Sequence, residues 1–209
     1  MADQQGFVLI VDDIPDILRL LDATLKFKGY RVVTARDGQE ALEVIEKERP
    51  ALVIADILMP KMDGFSLLRR IRLDSETRHI PVIFLSATYV AAEDKDFARA
   101  LGVTRFIEKP VDWDKFLPII SEILTKGVPV SPTSLNEFEF YNRYRQRLET
   151  KLKQKVTQIA RDEHLIKTLS ETEKPTFEST LQQAIRERDE IQLILDQVSE
   201  RLEKFTNSK

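Results

Sequence analysis

The chain of 209 residues contains no cysteine and only two histidines, His79 and His164. The lack of cysteine excludes a disulfide framework, a thiolate nucleophile and a cysteine-ligated zinc site. Two histidines are too few for a histidine-rich metal site. Any metal bound by this chain would therefore use oxygen ligands.

Long apolar runs and an excess of one charge are also lacking. No stretch approaches the roughly 18 consecutive apolar residues of a membrane span, and the first residues, MADQQGFVLIVDD, lack the features of a signal peptide. The 32 basic and 35 acidic residues give a net charge of −3, which fits neither a basic nucleic-acid coat nor an acidic disordered tail. We expect a soluble, cytoplasmic protein with no membrane partner.

Glycine is missing from the last 82 residues, since all six glycines lie between Gly6 and Gly127. Pro129 and Pro132 follow directly at this change of composition. We therefore predict one domain over 1–127, a linker over 128–135 and a second, different module over 136–209.

The first module alternates short apolar runs with longer amphipathic segments. The runs are β-branched and nearly continuous in apolar character, as in strands buried on both faces. Alternation with five helical segments predicts an α/β fold with a five-stranded, doubly wound parallel sheet. The predicted strands are Phe7–Val11, Arg31–Ala35, Ala51–Asp56, Pro81–Ala87 and Thr104–Lys109.

The second module shows helical periodicity in two segments. Apolar residues recur at spacings of three and four, which is typical of a heptad seam. Pro175 disfavours helical geometry at Lys174 and separates the two segments. We predict an all-α helical hairpin or coiled coil. The seam residues of the second segment are Leu181, Ala184, Ile191, Leu195, Val198, Leu202 and Phe205.

Acidic residues follow two of the predicted strands. Asp12 and Asp13 end the first strand and Asp56 ends the third. An isolated acidic pair after a strand is most often a solvated turn. Three carboxylates at the carboxyl edge of one sheet repel one another unless a cation or a proton neutralises them. With oxygen ligands only, the expected cation is Mg²⁺ or a similar hard ion.

Ser86 and Lys109 follow the fourth and fifth strands. A hydroxyl, an ammonium and a cation around a carboxylate suit a phosphoryl group, whose transfer depends on positioning and charge neutralisation. The order of these groups along the chain predicts a site for phosphoryl chemistry at this edge of the sheet.

With these residues in place, the sequence resembles the CheY-like receiver domain of two-component response regulators over residues 6–126. Four segments carry the resemblance: VLIVDD (8–13), ADILMPKMDGFSLLRRIR (55–72), IFLSA (83–87) and FIEKP (106–110). The resemblance implies a CheY/flavodoxin-like fold and a phosphoacceptor switch that is not a conventional enzyme.

The same resemblance implies a role for each site residue. Asp56 would accept a phosphoryl group from a sensor histidine kinase. Asp13, Asp56 and the main-chain carbonyl of Leu58 would hold Mg²⁺, and Asp12 would act on it through water. Lys109 would pair with the phosphoryl oxygens and Ser86 would hydrogen-bond one of them.

Further residues match secondary features of the family. Phe106 corresponds to the switch aromatic, although its pattern also fits a plain core aromatic. The Lys109–Pro110 peptide lies at the position where the family has a cis peptide bond. Leu58 and Thr88 lie two residues beyond Asp56 and two beyond Ser86. We expect these positions at the rim of the site to influence phosphate loss, because side chains there are best placed to orient the attacking water. Lys61 and Asp63 we interpret as solvated loop charges.

Three alternatives remain at the level of sequence. A flavodoxin-like cofactor binder shares the fold, but Asp12 and Asp13 would repel a flavin phosphate. A histidine phosphotransfer function could use His164 with Lys167 on one helical face. However, Thr168 stands where that family usually has glycine, and the tail shows two clear helices where that bundle uses four, so a solvated helix histidine is the favoured interpretation. A structural coiled-coil protein with a non-signalling receiver is the third.

Partners follow from this interpretation. We expect a sensor histidine kinase, an unidentified downstream protein and a homodimer formed through the tail. Nucleic acid is an unlikely partner because the tail holds 14 basic and 14 acidic residues from Val128 onward. Its one basic, aromatic stretch runs from Tyr141 to Arg147.

Overall fold

The computed structural model describes residues 6–86, 92–127, 129–130, 135–169 and 174–206. The chain divides into two compact units, Met1–Ser134 and Leu135–Lys209. Across the described helices, none combines the length and apolar character needed to cross a membrane.

The first unit is built around a five-stranded parallel sheet with the order β2-β1-β3-β4-β5. This arrangement confirms the doubly wound α/β fold predicted from the alternating pattern. The strands are β1 (Val8–Val11), β2 (Val32–Ala35), β3 (Leu52–Asp56), β4 (Val82–Ser86) and β5 (Arg105–Glu108). The helices are α1 (Pro15–Phe27), α2 (Gly38–Lys47), α3 (Gly64–Leu73), α4 (Ala92–Ala100) and α5 (Trp113–Lys126).

Apolar residues on both faces of the sheet explain why its strands form. Alternate strand residues such as Val8 and Ile10 pack with side chains of α1 and α5 in one core cluster. On α5 this cluster includes Phe116 and Ile120. Elsewhere Phe65 of α3 lies against Phe84 of β4, with ring centroids 5.2 Å apart. Burial on both sides favours continuous apolar runs over strict alternation.

Arg72 fixes the edge of the sheet at which β4 and β5 begin. Its buried guanidinium donates to the main-chain oxygens of Gly102 (3.0 and 2.8 Å), Ile80 (2.8 Å) and Arg78 (3.1 Å). Burial lowers the pKa of Arg72 to about 10. These hydrogen bonds tie the end of α3 to the segments that lead into β4 and β5.

The second unit contains two long helices, α6 (Glu137–Ile166) and α7 (Lys174–Thr206), that pack together. Lys155 pairs with Glu187 at 2.7 Å, whereas the earlier Glu137 pairs with the later Arg201 at 3.4 Å. Because the residue number of the partner falls on α7 as the residue number rises on α6, the helices are antiparallel. The predicted hairpin is confirmed.

The ends of the hairpin helices show how local sequence sets them. Asn136 and Glu139 form a reciprocal capping box at the start of α6. The helix α7 begins at Lys174, one residue earlier than expected from Pro175. A proline is tolerated in the first helical turn because its missing N–H needs no partner there.

The heptad seam of α7 faces its partner helix. Its buried members are Ala184, Ile191, Val198 and Leu202. The facing residues of α6 are also buried, and they are Phe140, Tyr144, Leu148 and Ile159. Because α6 covers the seam within one chain, hairpin formation does not require a second chain. The homodimer stays a prediction.

Candidate functional site

The carboxyl edge of the sheet brings Asp12 and Asp56 together. β1 and β3 are adjacent and in register, with Val11 opposite Ala55, so the next residue of each strand lies side by side. Asp12 is almost fully buried, with 1% of its surface exposed. One of its carboxylate oxygens accepts a hydrogen bond of 3.0 Å from the N–H of Ile14. The other faces Lys109.

Lys109 bridges the buried carboxylate of Asp12 and the partly buried carboxylate of Asp56. Its Nζ lies 2.7 Å from Oδ2 of Asp12 and 2.7 Å from Oδ1 of Asp56. Burial alone would lower the pKa of Lys109, but the carboxylates of Asp56 and Asp12 outweigh it, so the pKa lies above its usual value. The Lys109–Pro110 peptide is cis, as predicted.

Both carboxylate oxygens of Asp56 have a donor. Besides the contact with Lys109, Oδ2 accepts a hydrogen bond of 2.8 Å from the N–H of Leu58. Burial raises the pKa of Asp56 to about 6, against the opposing effect of Lys109. Asp56 is therefore a positioned, poorly solvated carboxylate that is mainly ionised at neutral pH.

Asp13 completes the acidic edge as a half-buried side chain. Burial, followed by the negative charge of Asp12, raises the pKa of Asp13 above its usual value. Burial is the largest cause of the raised pKa values of Asp13 and Asp56, and the positive charge of Lys109 opposes it at both residues.

The donor set at this edge fits a hard divalent cation. Within the described residues no three His, Cys, Asp or Glu side chains are grouped as a metal cluster. Magnesium, however, usually keeps several waters and binds through only one or two protein carboxylates. A cation here would favour the charged forms of Asp13 and Asp56. The chemistry of these residues thus fits Mg²⁺ better than an ion that needs a full protein cage.

Ser86 and Phe106 lie on the neighbouring strands. Ser86 is buried at the end of β4, and its carbonyl accepts a hydrogen bond of 2.8 Å from the N–H of Lys109. Phe106 of β5 is half-buried, with its ring edge-on to Phe84 at a centroid distance of 6.3 Å.

One interpretation from sequence needs correction, because Asp63 is not a solvated loop charge. Asp63 is buried, caps α3 through the N–H of Ser66 at 3.0 Å and accepts from the Ser66 hydroxyl at 2.7 Å. Lys61 is exposed, yet its Nζ lies 2.7 Å from the buried carboxylate of Asp37. Asp37 follows β2, so every strand of the sheet contributes a polar or charged group to the same edge.

Asp37 is the residue that sequence reasoning missed. It caps α2 by accepting hydrogen bonds of 2.9 Å from the N–H groups of Gln39 and Glu40. Burial raises its pKa, but Lys61 and these N–H groups outweigh that effect, so the pKa lies below its usual value. An aspartate before Gly38 at the end of an apolar run was the available signal, since such residues commonly cap helices.

Other residues singled out earlier lie away from this edge or outside the described part of the chain. His79 is exposed in a turn, as expected, and His164 is exposed on α6. Thr88 lies outside the described residues. Tyr144 is buried in the hairpin, and Tyr141 lies 6.3 Å from Phe205 between ring centroids. The aromatic side chains of this stretch are thus engaged in packing, which removes them as free stacking surfaces.

The fold and the edge define a class: a parallel α/β domain in which a partly buried aspartate, flanked by acidic residues and a lysine, ends the central strand. A family model described as the response regulator receiver domain matches residues 8–121. The chain belongs to this family.

Comparison with individual proteins gives the same result. The chain is 39% identical over 105 residues to the response regulator PleD of Caulobacter vibrioides, which covers 50% of this chain and 23% of PleD. It is 37% identical over 131 residues to a probable transcriptional regulator, ycf27, of Cyanophora paradoxa, which covers 62% of this chain and 53% of that protein. The chain thus matches about half or less of each relative.

A solved structure of the chemotaxis response regulator CheY4 of Vibrio cholerae is similar to the first unit. It has 34% sequence identity and a TM-score of 0.54, and the match covers 58% of this chain and 100% of that one. A signal receiver domain of a histidine kinase from Syntrophus aciditrophicus gives 32% identity and a TM-score of 0.55. Both comparisons support the CheY-like architecture.

Proposed function

We propose that the chain is a two-component response regulator in which Asp56 accepts a phosphoryl group from a sensor histidine kinase. The observation that carries this proposal is the placement of Asp56. Its partly buried carboxylate ends β3 and contacts the Lys109 ammonium at 2.7 Å and the Leu58 N–H at 2.8 Å. The protein would act in the cytoplasm, as a switch that at most catalyses its own phosphorylation and dephosphorylation.

In the transfer step, a carboxylate oxygen of Asp56 forms a bond to phosphorus. The bond between phosphorus and the kinase histidine nitrogen breaks, and its electron pair returns to the imidazole. The product is an acyl phosphate. Lys109 stays within reach of the transferred oxygens, and its ammonium stabilises their charge.

A divalent cation completes the charge balance of this proposal. Mg²⁺ would be held by Asp13, Asp56 and the Leu58 carbonyl, with Asp12 acting through water, and would neutralise negative charge on the carboxylates and the phosphoryl group. Asp12 has a second task, because its carboxylate holds Lys109 beside Asp56 before transfer.

The switch in this proposal consists of Ser86 and Phe106. The Ser86 hydroxyl hydrogen-bonds a phosphoryl oxygen and is drawn towards it, which frees space for the Phe106 ring to turn inward. The surface formed by α4, β5 and α5 then repacks. Amide shifts on that surface, measured by NMR with and without beryllofluoride and Mg²⁺, test this step. Unchanged shifts would exclude the switch.

Acetyl phosphate provides the direct test of the phosphoacceptor. We expect Mg²⁺-dependent labelling of wild type, none of Asp56→Asn and none in excess chelator. Asp16→Asn, which alters an exposed aspartate of α1, is the matched control and should be labelled normally. Labelling of Asp56→Asn at the wild-type rate would place the acceptor elsewhere. Label on His164 would favour the phosphotransfer alternative.

The hairpin is proposed as the output or assembly module of this regulator. Its downstream partner would bind, or a homodimer would form, in response to phosphorylation. Sedimentation of the full chain with and without beryllofluoride tests the homodimer. A single monomeric species in both conditions would reject the homodimer. A structural protein with a non-signalling receiver would show no response to beryllofluoride in either module.

A further inference from the structure

An ion pair links the ends of two different loops at the carboxyl edge. Nζ of Lys61, in the loop between β3 and α3, lies 2.7 Å from Oδ2 of Asp37, which precedes α2. The two residues are 24 positions apart in sequence. The Asp37 side chain is 3% exposed and that of Lys61 74% exposed, so a buried carboxylate holds a flexible surface lysine.

The same two segments are in close main-chain contact. The N–H of Gly38 donates a hydrogen bond of 2.9 Å to the carbonyl of Met62. A Cβ atom at Gly38 would lie 2.7 Å from both Cγ and the carbonyl oxygen of Met62. Only glycine allows this approach, so the start of α2 forms a fitted support for the loop.

Lys61 itself has an unusual backbone conformation. Its φ of 61° lies in the left-handed region, and it is the one non-glycine residue with positive φ in the described part of the chain. Such a conformation costs free energy and persists where surrounding contacts determine it. Three contacts surround Lys61. The N–H of Met62 donates a hydrogen bond of 2.7 Å to the carbonyl of Pro60 across Lys61. The other two are the ion pair to Asp37 and the hydrogen bond between Gly38 and Met62.

The other end of the loop between β3 and α3 contacts the proposed phosphoacceptor, Asp56. The N–H of Leu58 holds Oδ2 of Asp56, and the N–H of Gly64 donates to the carbonyl of Ile57 at 2.8 Å. The loop of residues 57–63 is therefore fixed by Asp56 at one end and by Asp37 at the other. A change in its path would move the Leu58 N–H relative to Asp56.

We propose that the Asp37–Lys61 ion pair is a positioning device for the phosphoacceptor: it sets the path of loop 57–63, and through the Leu58 N–H it orients the Asp56 carboxylate. This inference rests on the proposed function. Asp37 and Lys61 are positioning residues, since both act through the loop.

The variants that test it are conservative changes of the two paired side chains. Lys61→Met removes the ammonium from an exposed side chain, and Lys61→Arg restores a cation. Asp37→Asn keeps an N-cap of equal quality and removes the charge. The matched control is Lys26→Met, which breaks another exposed lysine pair, with Asp22 on α1. Thermal unfolding of each full-length variant establishes that it is folded.

The first measurement is independent of phosphorylation. Hydrogen exchange of the Gly38 amide reports its hydrogen bond to Met62, and exchange of the Leu58 amide reports its hydrogen bond to Asp56. We expect faster exchange of both amides in Lys61→Met and Asp37→Asn, and wild-type exchange in Lys61→Arg and Lys26→Met. Unchanged exchange of both amides in Lys61→Met would overturn the positioning role, whatever the protein does with phosphate.

The second measurement is the rate of phosphorylation by acetyl phosphate in Mg²⁺. We expect the maximal rate of Lys61→Met to fall about tenfold with an unchanged KM, because misorientation affects the reacting carboxylate rather than donor binding. Lys61→Arg should recover the rate, and the Asp37→Asn/Lys61→Met double variant should be no slower than either single variant.

The outcomes separate this inference from the proposed function. Wild-type rates in Lys61→Met, or additive losses in the double variant, would overturn the positioning role while leaving Asp56 as the acceptor. Absence of any labelling in wild type would instead overturn the proposed function, and with it the part of this inference that concerns phosphorylation.

Discussion

Gly64 lies so close to Asp56 that a Cβ atom at Gly64 would stand 2.3 Å from the Asp56 carbonyl oxygen. It would also stand 3.0 Å from Cα of Ile57. Both neighbours are main-chain atoms, which cannot rotate away as a flexible side chain would. The start of α3 and the end of β3 are thus packed as closely as the chain allows.

Gly64→Ala is expected to force the loop after Asp56 out of position. We expect the free energy of unfolding to fall by about 2 kcal/mol, as is typical of overpacking, and labelling by acetyl phosphate to slow. Urea denaturation measures the first effect. Gly6→Ala is the control, because its Cβ would meet Ala51 at 3.4 Å, an ordinary contact. Equal stability of the two variants would contradict the close approach.

Lys109→Met should destabilise the domain and abolish phosphorylation. It leaves Asp12 and Asp56 buried without their shared cation, which we expect to cost about 3 kcal/mol at neutral pH in metal-free buffer. Lys95→Met breaks an exposed pair with Glu108 and should cost no more than about 0.5 kcal/mol. Denaturant unfolding compares the two. A similar small loss in both would mean that the Lys109 bridge contributes little.

The lifetime of the phosphorylated protein should depend on Leu58. Hydrolysis needs a water aligned with the bond to Asp56, and an apolar side chain at this half-buried rim position cannot orient one. Replacing Leu58 with Asn and Thr88 with Glu together should speed phosphate loss by about tenfold, or roughly 1.4 kcal/mol of barrier. The measurement is decay after removal of the donor in Mg²⁺. Wild-type loss within seconds, or an unchanged rate in the variant, would reject this role.

Asp37 should make stability depend on acid pH. The pKa of Asp37 is lower in the folded chain than in the unfolded chain, where it is about 4. The charged carboxylate therefore contributes its full stabilisation at pH values above the unfolded-state pKa. As pH falls through the folded pKa, that contribution is lost. The stability advantage of wild type over Asp37→Asn should therefore shrink on acidification, as followed by urea unfolding. An advantage that is constant with pH would contradict the assigned shift.

The first module should fold without the tail. A fragment of residues 1–127 contains all five strands and α1 to α5, and we expect cooperative thermal unfolding with circular dichroism typical of an α/β protein. Sedimentation should show a monomer. An unfolded fragment would contradict the predicted division at 127, and a dimeric one would place the dimer contact outside the tail.

The sheet was predictable from sequence because its strands are buried on both faces. The runs Val8–Val11 and Val82–Leu85 are apolar throughout, and this composition marks strands of a parallel sheet that is covered on both faces. The order of Asp12, Asp56 and Lys109 after three of these strands then placed them at one edge. Their close contact follows from topology, so no side-chain detail was needed.

The loop charges were not predictable in the same way. Asp37, Asp63 and Lys61 carry the same local signals as solvated turn residues, since acids and lysines are common in both settings. What distinguishes Asp37 is a partner 24 residues away, and that contact depends on how two loops meet in three dimensions. Burial of Asp63 likewise depends on packing that no short sequence window contains.

The pinning of β4 and β5 by Arg72 constrains how a signal can leave the site. Arg72 holds the carbonyls of Ile80 and Gly102, which lie just before the two strands that end near Ser86 and Lys109. If either strand slid along its axis, a carbonyl would be drawn off a buried guanidinium, at the full desolvation cost of that charge. Arg72 therefore holds β4 and β5 in place at the edge of the sheet where these strands begin. In the proposed switch, a signal would therefore cross the sheet through the turning of side chains such as Phe106, while the strands keep their register.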